Sequence, residues 1–215
     1  MEKLTLDKLK AVTGEFIREL SKQTIPKLYG ATDGKAVGTE IEKRFHAFLG
    51  KRFAYSEGSA ASGIDFPEIA VDLKSTSIQQ PQSSSPFRDA SQKVYGLGYH
   101  LLVLVYEKTD DTKKRAARLF IKHAVFVSRE RTADYQMTSG LIRILENDGN
   151  EDDIDAFLQE RNLPLDETSR RLLAKRIMSE PPPIGYLTIS NALQCGRVVT
   201  VAADGNISGV EDLHG

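Results

Sequence analysis

The stretch GIDFPEIAVDLKSTS, Gly63–Ser77, decides how this chain is read. From Ile69 to Lys74 apolar and polar positions alternate. Ile69, Val71 and Leu73 project to one face of a strand, and Ala70, Asp72 and Lys74 to the other. Asp72 and Lys74 are therefore neighbours on one face, with a second carboxylate, Asp65, just upstream. A pair of carboxylates can hold a divalent cation, and a lysine beside them can orient or deprotonate a water. Those groups are the equipment for metal-assisted hydrolysis of a phosphodiester. The competing reading is a half-exposed strand with a polar outer face, on which Asp72 and Lys74 form a modest salt bridge.

The triplet alone does not separate the two readings. Acid-x-Lys occurs three times in the chain, as Asp33-Gly34-Lys35, Asp72-Leu73-Lys74 and Asp111-Thr112-Lys113. The first lies in a glycine-punctuated turn and the third in a polar hairpin, where solvated turn chemistry accounts for both. Only the middle triplet sits on an apolar-alternating strand with an aspartate seven residues earlier. Charges beside a core are costly unless they are paired or bound to a metal.

Working outward, Thr5–Gln23 reads as a helix capped by Thr5, with Leu6, Leu9, Val12, Phe16, Ile17 and Leu20 as its apolar stripe. A second helix is expected from about Val37 to Leu49, with Val37, Ile41, Phe45, Phe48 and Leu49 along one stripe. Glu42 lies on one shoulder of that stripe and Glu40 on the other. Either carboxylate could look into a cleft or simply be solvated. Lys51–Gly63 reads as a loop or irregular lead-in strand, and QQPQSSSP, Gln79–Pro86, as a loop after the central strand. A short helix over Phe87–Gly96 should precede the strand HLLVLVYE, His100–Glu107, and Arg115–Val127 forms the next strand or strand pair. Thr132–Glu146, Asp153–Arg161 and Glu167–Ser179 read as helices, and RVVTVA, Arg197–Ala202, as a final strand. The fold class is α/β: a central mixed sheet flanked by helices on both faces, with a helical C-terminal part. We expect a single domain over 1–215, comprising an N-terminal helix in 1–28, an α/β core in 29–128 and a mainly helical part with a final strand in 129–215.

The 215 residues, 40% hydrophobic and 27% charged, suit an ordinary globular chain. The longest apolar run, Leu101–Tyr106, is too short to span a membrane, and no cationic-then-apolar leader is visible, so no membrane partner is expected. One cysteine, Cys195, excludes an internal disulfide and a cysteine-rich zinc site, and a reducing, cytoplasmic location is expected. The net charge of −1 conceals an asymmetry. Met1–Leu145 carries 23 Lys+Arg against 17 Asp+Glu, and Glu146–Gly215 carries 6 against 13. A phosphate-facing surface would thus lie in the first two-thirds, although a solvated acidic loop explains the imbalance equally well. His46, His100, His123 and His214 share no ligand spacing and are read as structural or exposed. No GxxxxGK[ST] motif is present, so there is no sign of an ATP-driven motor.

The same stretch, Gly63–Ser77, resembles the PD-(D/E)XK nuclease signature as type II restriction endonucleases carry it. Its spacing is also similar to that of the mismatch-repair nicking endonuclease. GATDGKAVGTEIEKRF, Gly30–Phe45, resembles the upstream helix that brings a glutamate to such sites, and Pro81–Lys108 resembles the segment following the catalytic strand. YLTISNAL, Tyr186–Leu193, is similar to a C-terminal segment of the same group. Position 64 is isoleucine where the motif's name has proline.

The resemblance implies a restriction-endonuclease-like core and Mg2+-dependent cleavage of double-stranded DNA at a short specific sequence. In that reading Asp65, Asp72 and the Leu73 carbonyl hold Mg2+, Lys74 positions the attacking water, and Glu42, with Glu40 as competitor, holds a second metal or a water. It further implies a homodimer matched to a palindromic site and a cognate DNA methyltransferase acting on the same sequence. A nicking or junction-resolving repair enzyme and a catalytically inert DNA-binding module remain open alternatives at this point. Gln79, Gln80, Gln82, Ser83, Ser84 and Ser85 are candidate DNA contacts, since Gln can pair with adenine and Ser can touch bases or phosphates. The alternative is a flexible surface loop, for which this composition is typical. Arg88 and Lys93 are candidate phosphate contacts or plain surface charges. If they bind phosphate, Arg88→Ala and Lys93→Ala should weaken DNA binding alike for all sequences and reduce its salt dependence. Binding isotherms at several salt concentrations measure this, and a change of site preference alone would contradict it.

Overall fold

The computed structural model describes residues 1–58, 63–189 and 192–214. In chain order, β1 (Glu2–Lys3) leads into α1 (Leu6–Ser21), α2 (Gly34–Gly50) and β2 (Phe53–Ala54). Then come β3 (Val71–Ser77), β4 (Gln82–Ser83), α3 (Gln92–Tyr95), β5 (His100–Asp111) and β6 (Ala116–Val127). The helices α4 (Tyr135–Glu146), α5 (Glu151–Glu160) and α6 (Glu167–Ser179) follow. The described chain closes with β7 (Thr188–Ile189), β8 (Leu193–Gln194), α7 (Gly196–Asp204) and β9 (Val210–Asp212).

The main sheet has the order β3-β5-β6-β9. β3 runs parallel to β5, while β6 is antiparallel to both β5 and β9, so the sheet is mixed. β5 is an unbroken apolar run because both of its faces are covered. Leu102, Leu104 and Tyr106 meet α1 and α2 on one side, with Val71 and Leu73 of β3 beside them. Leu101, Val103 and Val105 meet Leu187, Leu193 and Val198 on the other. β6 keeps its apolar residues on the α1/α2 side along its whole length only by breaking its alternation once. Phe126 and Ala124 are followed by Ile121, Leu119 and Ala117 in the same core. The register shift opposite Val105/Tyr106, which passes from His123 to Ile121, absorbs the change of parity. Helices on both faces make this the α/β architecture expected from the sequence.

Helix ends follow local chemistry. Thr5 caps α1, and Asp33 caps α2 by accepting from Lys35 N–H at 2.9 Å. The second helix therefore starts three residues before the expected Val37, and Asp33 is a cap rather than a turn residue. Asp111 Oδ1 accepts from Lys113 and Lys114 N–H, both at 3.0 Å, as expected for turn chemistry. Asn150 and Asp153 close a capping box at the start of α5, and α6 spans Glu167–Ser179 as expected. These helices join α3 and α4 in a separate core built on Val94, Met137, Leu141, Ile154, Leu158 and Ile177.

Two expectations fail. Arg197–Ala202 is not a final strand but the body of α7, and the last strand is β9. Its β-branched valines suggest a strand, but Cys195, Val198 and Ala202, at a helix's spacing, are the positions buried against the sheet. Gly205, at φ +66, ends the helix in a left-handed cap. The helix expected over Phe87–Gly96 shrinks to Gln92–Tyr95. Upstream of it the Gln92 and Asp89 side chains accept the N–H groups of Arg88 and Ser91 and hold a turn. No helix among the described residues is long and apolar enough to cross a membrane.

The segment between α6 and β7 is packed onto the start of α4 through a close backbone approach at Gly185. Its N–H donates to Thr138 Oγ1 at 2.9 Å, and a Cβ there would lie 2.2 Å from the Ala133 carbonyl oxygen. Gly185→Ala should therefore cost about 1–3 kcal/mol. Urea unfolding should show this as a lower midpoint at unchanged slope.

Candidate active site

A tight turn ahead of β3 assembles the site. Pro67–Ile69 form one turn of 3-10 helix, and Ala70 takes the left-handed conformation at φ +51. Phe66 and Val71 exchange backbone hydrogen bonds across it, at 2.9 and 3.2 Å. The regular strand consequently begins at Val71 rather than Ile69, although Ile69 still packs against the α1/α2 core. Phe66 is buried, its ring stacked on His46 at 4.8 Å and edge-on to Phe45 at 6.0 Å. The turn folds Asp65 back along the strand, so that its Oδ2 accepts the Leu73 N–H at 2.7 Å. Seven residues of sequence separation thus become adjacency between Asp65 and the Asp72–Leu73 peptide.

Asp72 is buried, 3% exposed, and its Oδ2 lies 3.0 Å from Lys74 Nζ. That oxygen has no aligned hydrogen-bond partner among the described residues. Burial pushes the Asp72 carboxyl up to about 6, and the Asp65 charge adds to the shift while Lys74 opposes it. Glu42 is also raised, first by burial and then by the charge of Asp65. The two shoulder glutamates of α2 are thereby distinguished. Glu42 faces Asp65. Glu40 is buried on the other shoulder and ion-paired with Lys27 and Arg44; burial would raise its carboxyl, but these two cations more than offset that and lower it.

Beyond Lys74 opens a groove of about 1110 Å3, walled by the start of α2, by β3 and by the loop after it. Gln80, Gln82, Ser83 and Ser84 line it, together with Lys35, Lys74 and Lys108; Ser85 and Lys93 do not. The loop is tied down. Thr76 Oγ1 donates to the Gln82 carbonyl at 2.8 Å, Cys195 N–H donates to the Pro81 carbonyl at 2.9 Å, and β4 pairs with β8. Arg88 lies away from the groove wall, its guanidinium against Gly63, where a Cβ would come within 2.2 Å of Nη2.

Two neighbours of the carboxylates were not expected. His46 was read as structural or exposed, yet one of its ring nitrogens and one oxygen each from Glu42 and Asp65 all lie within 4.8 Å of one another. Its position four residues after Glu42, on the same helix face, was the available signal. Tyr99 comes from the loop before β5; its hydroxyl is pushed up to about 12 by burial, and then by the Asp72 charge. No spacing in the sequence links Tyr99 to Asp72, because parallel strand pairing alone brings the two segments together.

A mixed sheet covered on both faces, whose edge strand carries Asp72 and Lys74 beside a turn presenting Asp65, is a restriction-endonuclease-like core. The family described as type II restriction enzyme NspV matches residues 3–212. The type II restriction enzyme NspV of Nostoc sp. (strain ATCC 29411 / PCC 7524) is 51% identical over 200 residues, 91% of either chain. No solved structure matches. The chain belongs to the NspV family of type II restriction enzymes, and with it to the site-specific deoxyribonucleases.

The raised Asp72 carboxyl has a consequence for stability. Between the unfolded value of 3.8 and the folded value of about 6, the folded chain holds a proton that the unfolded chain has released. The stabilisation by that proton is complete below the unfolded value and is lost as pH rises through about 6. In EDTA, the parent should therefore lose about 1–3 kcal/mol relative to Asp72→Asn between pH 4 and pH 7. Urea titrations of both proteins across that range measure the difference, and parallel pH profiles would contradict it.

Proposed function

We propose that this restriction endonuclease hydrolyses one phosphodiester in each strand of a short, specific duplex DNA sequence, with Mg2+ held by Asp65, Asp72 and the Leu73 carbonyl. The observation that carries the proposal is the convergence of Asp65 and Asp72 on one side of a buried strand with Lys74 at 3.0 Å. The donor set suits the ion. Carboxylate and carbonyl oxygens are what a hard divalent cation takes, and a buried Asp72 that stays raised beside Asp65 despite the Lys74 ammonium favours added positive charge. Bound there, Mg2+ would supply Lewis-acid stabilisation of the charge that develops on the scissile phosphate.

The chain's own groups account for the remaining work. Asp72, buried against the sheet, is a rigid ligand, and Asp65 is held in place by the Leu73 N–H. Lys74, at 3.0 Å from Asp72, orients the attacking water and neutralises charge beside the phosphate. Glu42 holds a water or a further cation at the rim. The groove beyond Lys74 receives the duplex, with Gln80, Gln82, Ser83 and Ser84 presented to it and Lys35 and Lys108 supplying phosphate attraction. Arg88, its guanidinium against Gly63, is a phosphate contact. Two strands must be cut with one such site per chain, so the working unit is a homodimer whose two-fold axis matches a palindromic sequence. A methyltransferase modifying the same sequence would protect the host's own DNA, and both would act in the cytoplasm.

Plasmid DNA incubated with the protein should yield discrete fragments in Mg2+ and remain intact in EDTA. Asp72→Ala or Lys74→Ala should abolish cleavage while gel-shift binding to the same DNA persists. Cleavage retained by either purified variant would overturn the assignment.

A further inference from the structure

The face of the sheet that carries Asp72 and Lys74 also carries a phenol. Val71 and Leu73 belong to the α1/α2 core, so alternation turns Asp72 and Lys74 to the opposite face. Leu101, the register partner of Asp72 on β5, lies on that face too. Tyr99 stands two residues before Leu101 and packs against the same core. It is thus the diagonal neighbour of Asp72 across the β3–β5 pair. Diagonal neighbours on one face of a sheet are about 7–8 Å apart, within reach of an aromatic side chain. The backbone holds this placement. His100 N–H donates to the Ala70 carbonyl at 2.7 Å, and Gly98, at φ +82, turns the chain into β5.

Ring and hydroxyl have different surroundings. The ring lies on the apolar core beside Leu101 and is anchored by that packing. The hydroxyl has no hydrogen-bond partner among the described residues. Asp72 does not accept from it; that carboxylate is paired with Lys74 at 3.0 Å. The charges that act on the phenol are, in order, Asp72, Arg88 and Asp65. Two of these are the proposed cation ligands, and the third is the proposed phosphate contact. A protonated phenol with a spare donor, set among those groups, faces the place where phosphoryl oxygens would lie.

We propose that the Tyr99 hydroxyl donates to a non-bridging oxygen of the scissile phosphate and stabilises the charge that builds there as water attacks. A donor already fixed by packing needs no reorganisation when that charge develops. Being neutral, it adds a directed hydrogen bond without adding a charge that would repel the cation. The inference rests on the proposed phosphodiester cleavage at Asp65 and Asp72 and gives that reaction a further contact, from β5 rather than β3.

The test uses a duplex carrying the cut sequence mapped from plasmid fragments, its scissile phosphate unmodified or as the Rp or Sp phosphorothioate. Sulfur is a poor hydrogen-bond acceptor. The diastereomer with sulfur where Tyr99 donates therefore loses that bond in the parent and has none to lose in Tyr99→Phe. In single-turnover reactions of the full chain with magnesium, Tyr99→Phe, which keeps the ring, should cut the unmodified duplex about 100-fold more slowly. Gel-shift binding of that duplex in EDTA should be unchanged. For one diastereomer, the slowing caused by sulfur should be about 10-fold smaller in the variant than in the parent. A parental rate in Tyr99→Phe, lost binding, or a slower variant whose two sulfur effects equal the parent's would overturn the inference. The last result is what a purely structural role gives. A parent that leaves the duplex intact in magnesium would overturn the proposed function and this contact together, whereas with an active parent the contact alone is at stake.

Discussion

The burial of Phe66 between α2 and the sheet is the interaction on which the rest of the site depends. Its ring sits against Phe45, His46 and Tyr55, and its backbone exchanges hydrogen bonds with Val71. Burying a phenyl side chain is worth roughly 1.5–3 kcal/mol. The left-handed Ala70 costs roughly 1–2 kcal/mol. One buried ring therefore suffices to hold a turn that the backbone alone would disfavour. The turn in turn sets Asp65 against the Leu73 N–H, and so beside Asp72.

The geometry this creates is electrostatically unfavourable in the metal-free chain. Asp72 is buried, and Glu42 faces Asp65 from α2. Lys74, 3.0 Å from the Asp72 carboxylate, offsets part of the cost of burial but not all of it. A chain that holds carboxylates together against their mutual repulsion stores affinity for a cation, because the repulsion is relieved only when positive charge arrives. The sheet makes that arrangement rigid. β3 is an edge strand, and its partner β5 is covered on both faces, so the pleat that presents Asp72 cannot tilt without disturbing both cores.

The same helix serves packing and chemistry on adjacent faces. Val37, Ile41, Phe45 and Phe48 of α2 fill the core, and Glu42 and His46, one turn apart, flank that stripe and meet the turn. The loop after β3 is likewise doubly anchored, to Thr76 on the strand and to β8 from the far end of the chain. The C-terminal third thereby shapes one wall of the groove, although the acids and the lysine all come from the first half.

Much of this was legible in the sequence because it is local. Alternation marked β3 as a strand with Asp72 and Lys74 on one face, and the apolar run from Leu101 showed that β5 is covered on both sides. The stripe of α2 limited the helix carboxylate to Glu42 or Glu40. Capping residues and helical periods brought out α1, α5 and α6. The rest depended on contacts between distant segments. Glu42 and Glu40 differ only in what each shoulder of α2 meets: Asp65 for one, Lys27 and Arg44 for the other. Arg197–Ala202 reads as a strand by its valines and becomes helix α7 because that is how Cys195, Val198 and Ala202 reach one buried surface. His46 and Tyr99 join the site through helix packing and parallel strand pairing, which leave no trace in local spacing. The sequence by itself determined which residues could carry the chemistry, since residue type and period are local properties. The tertiary structure alone decided which of them meet, since burial, repulsion and pairing act between segments that the chain order keeps apart.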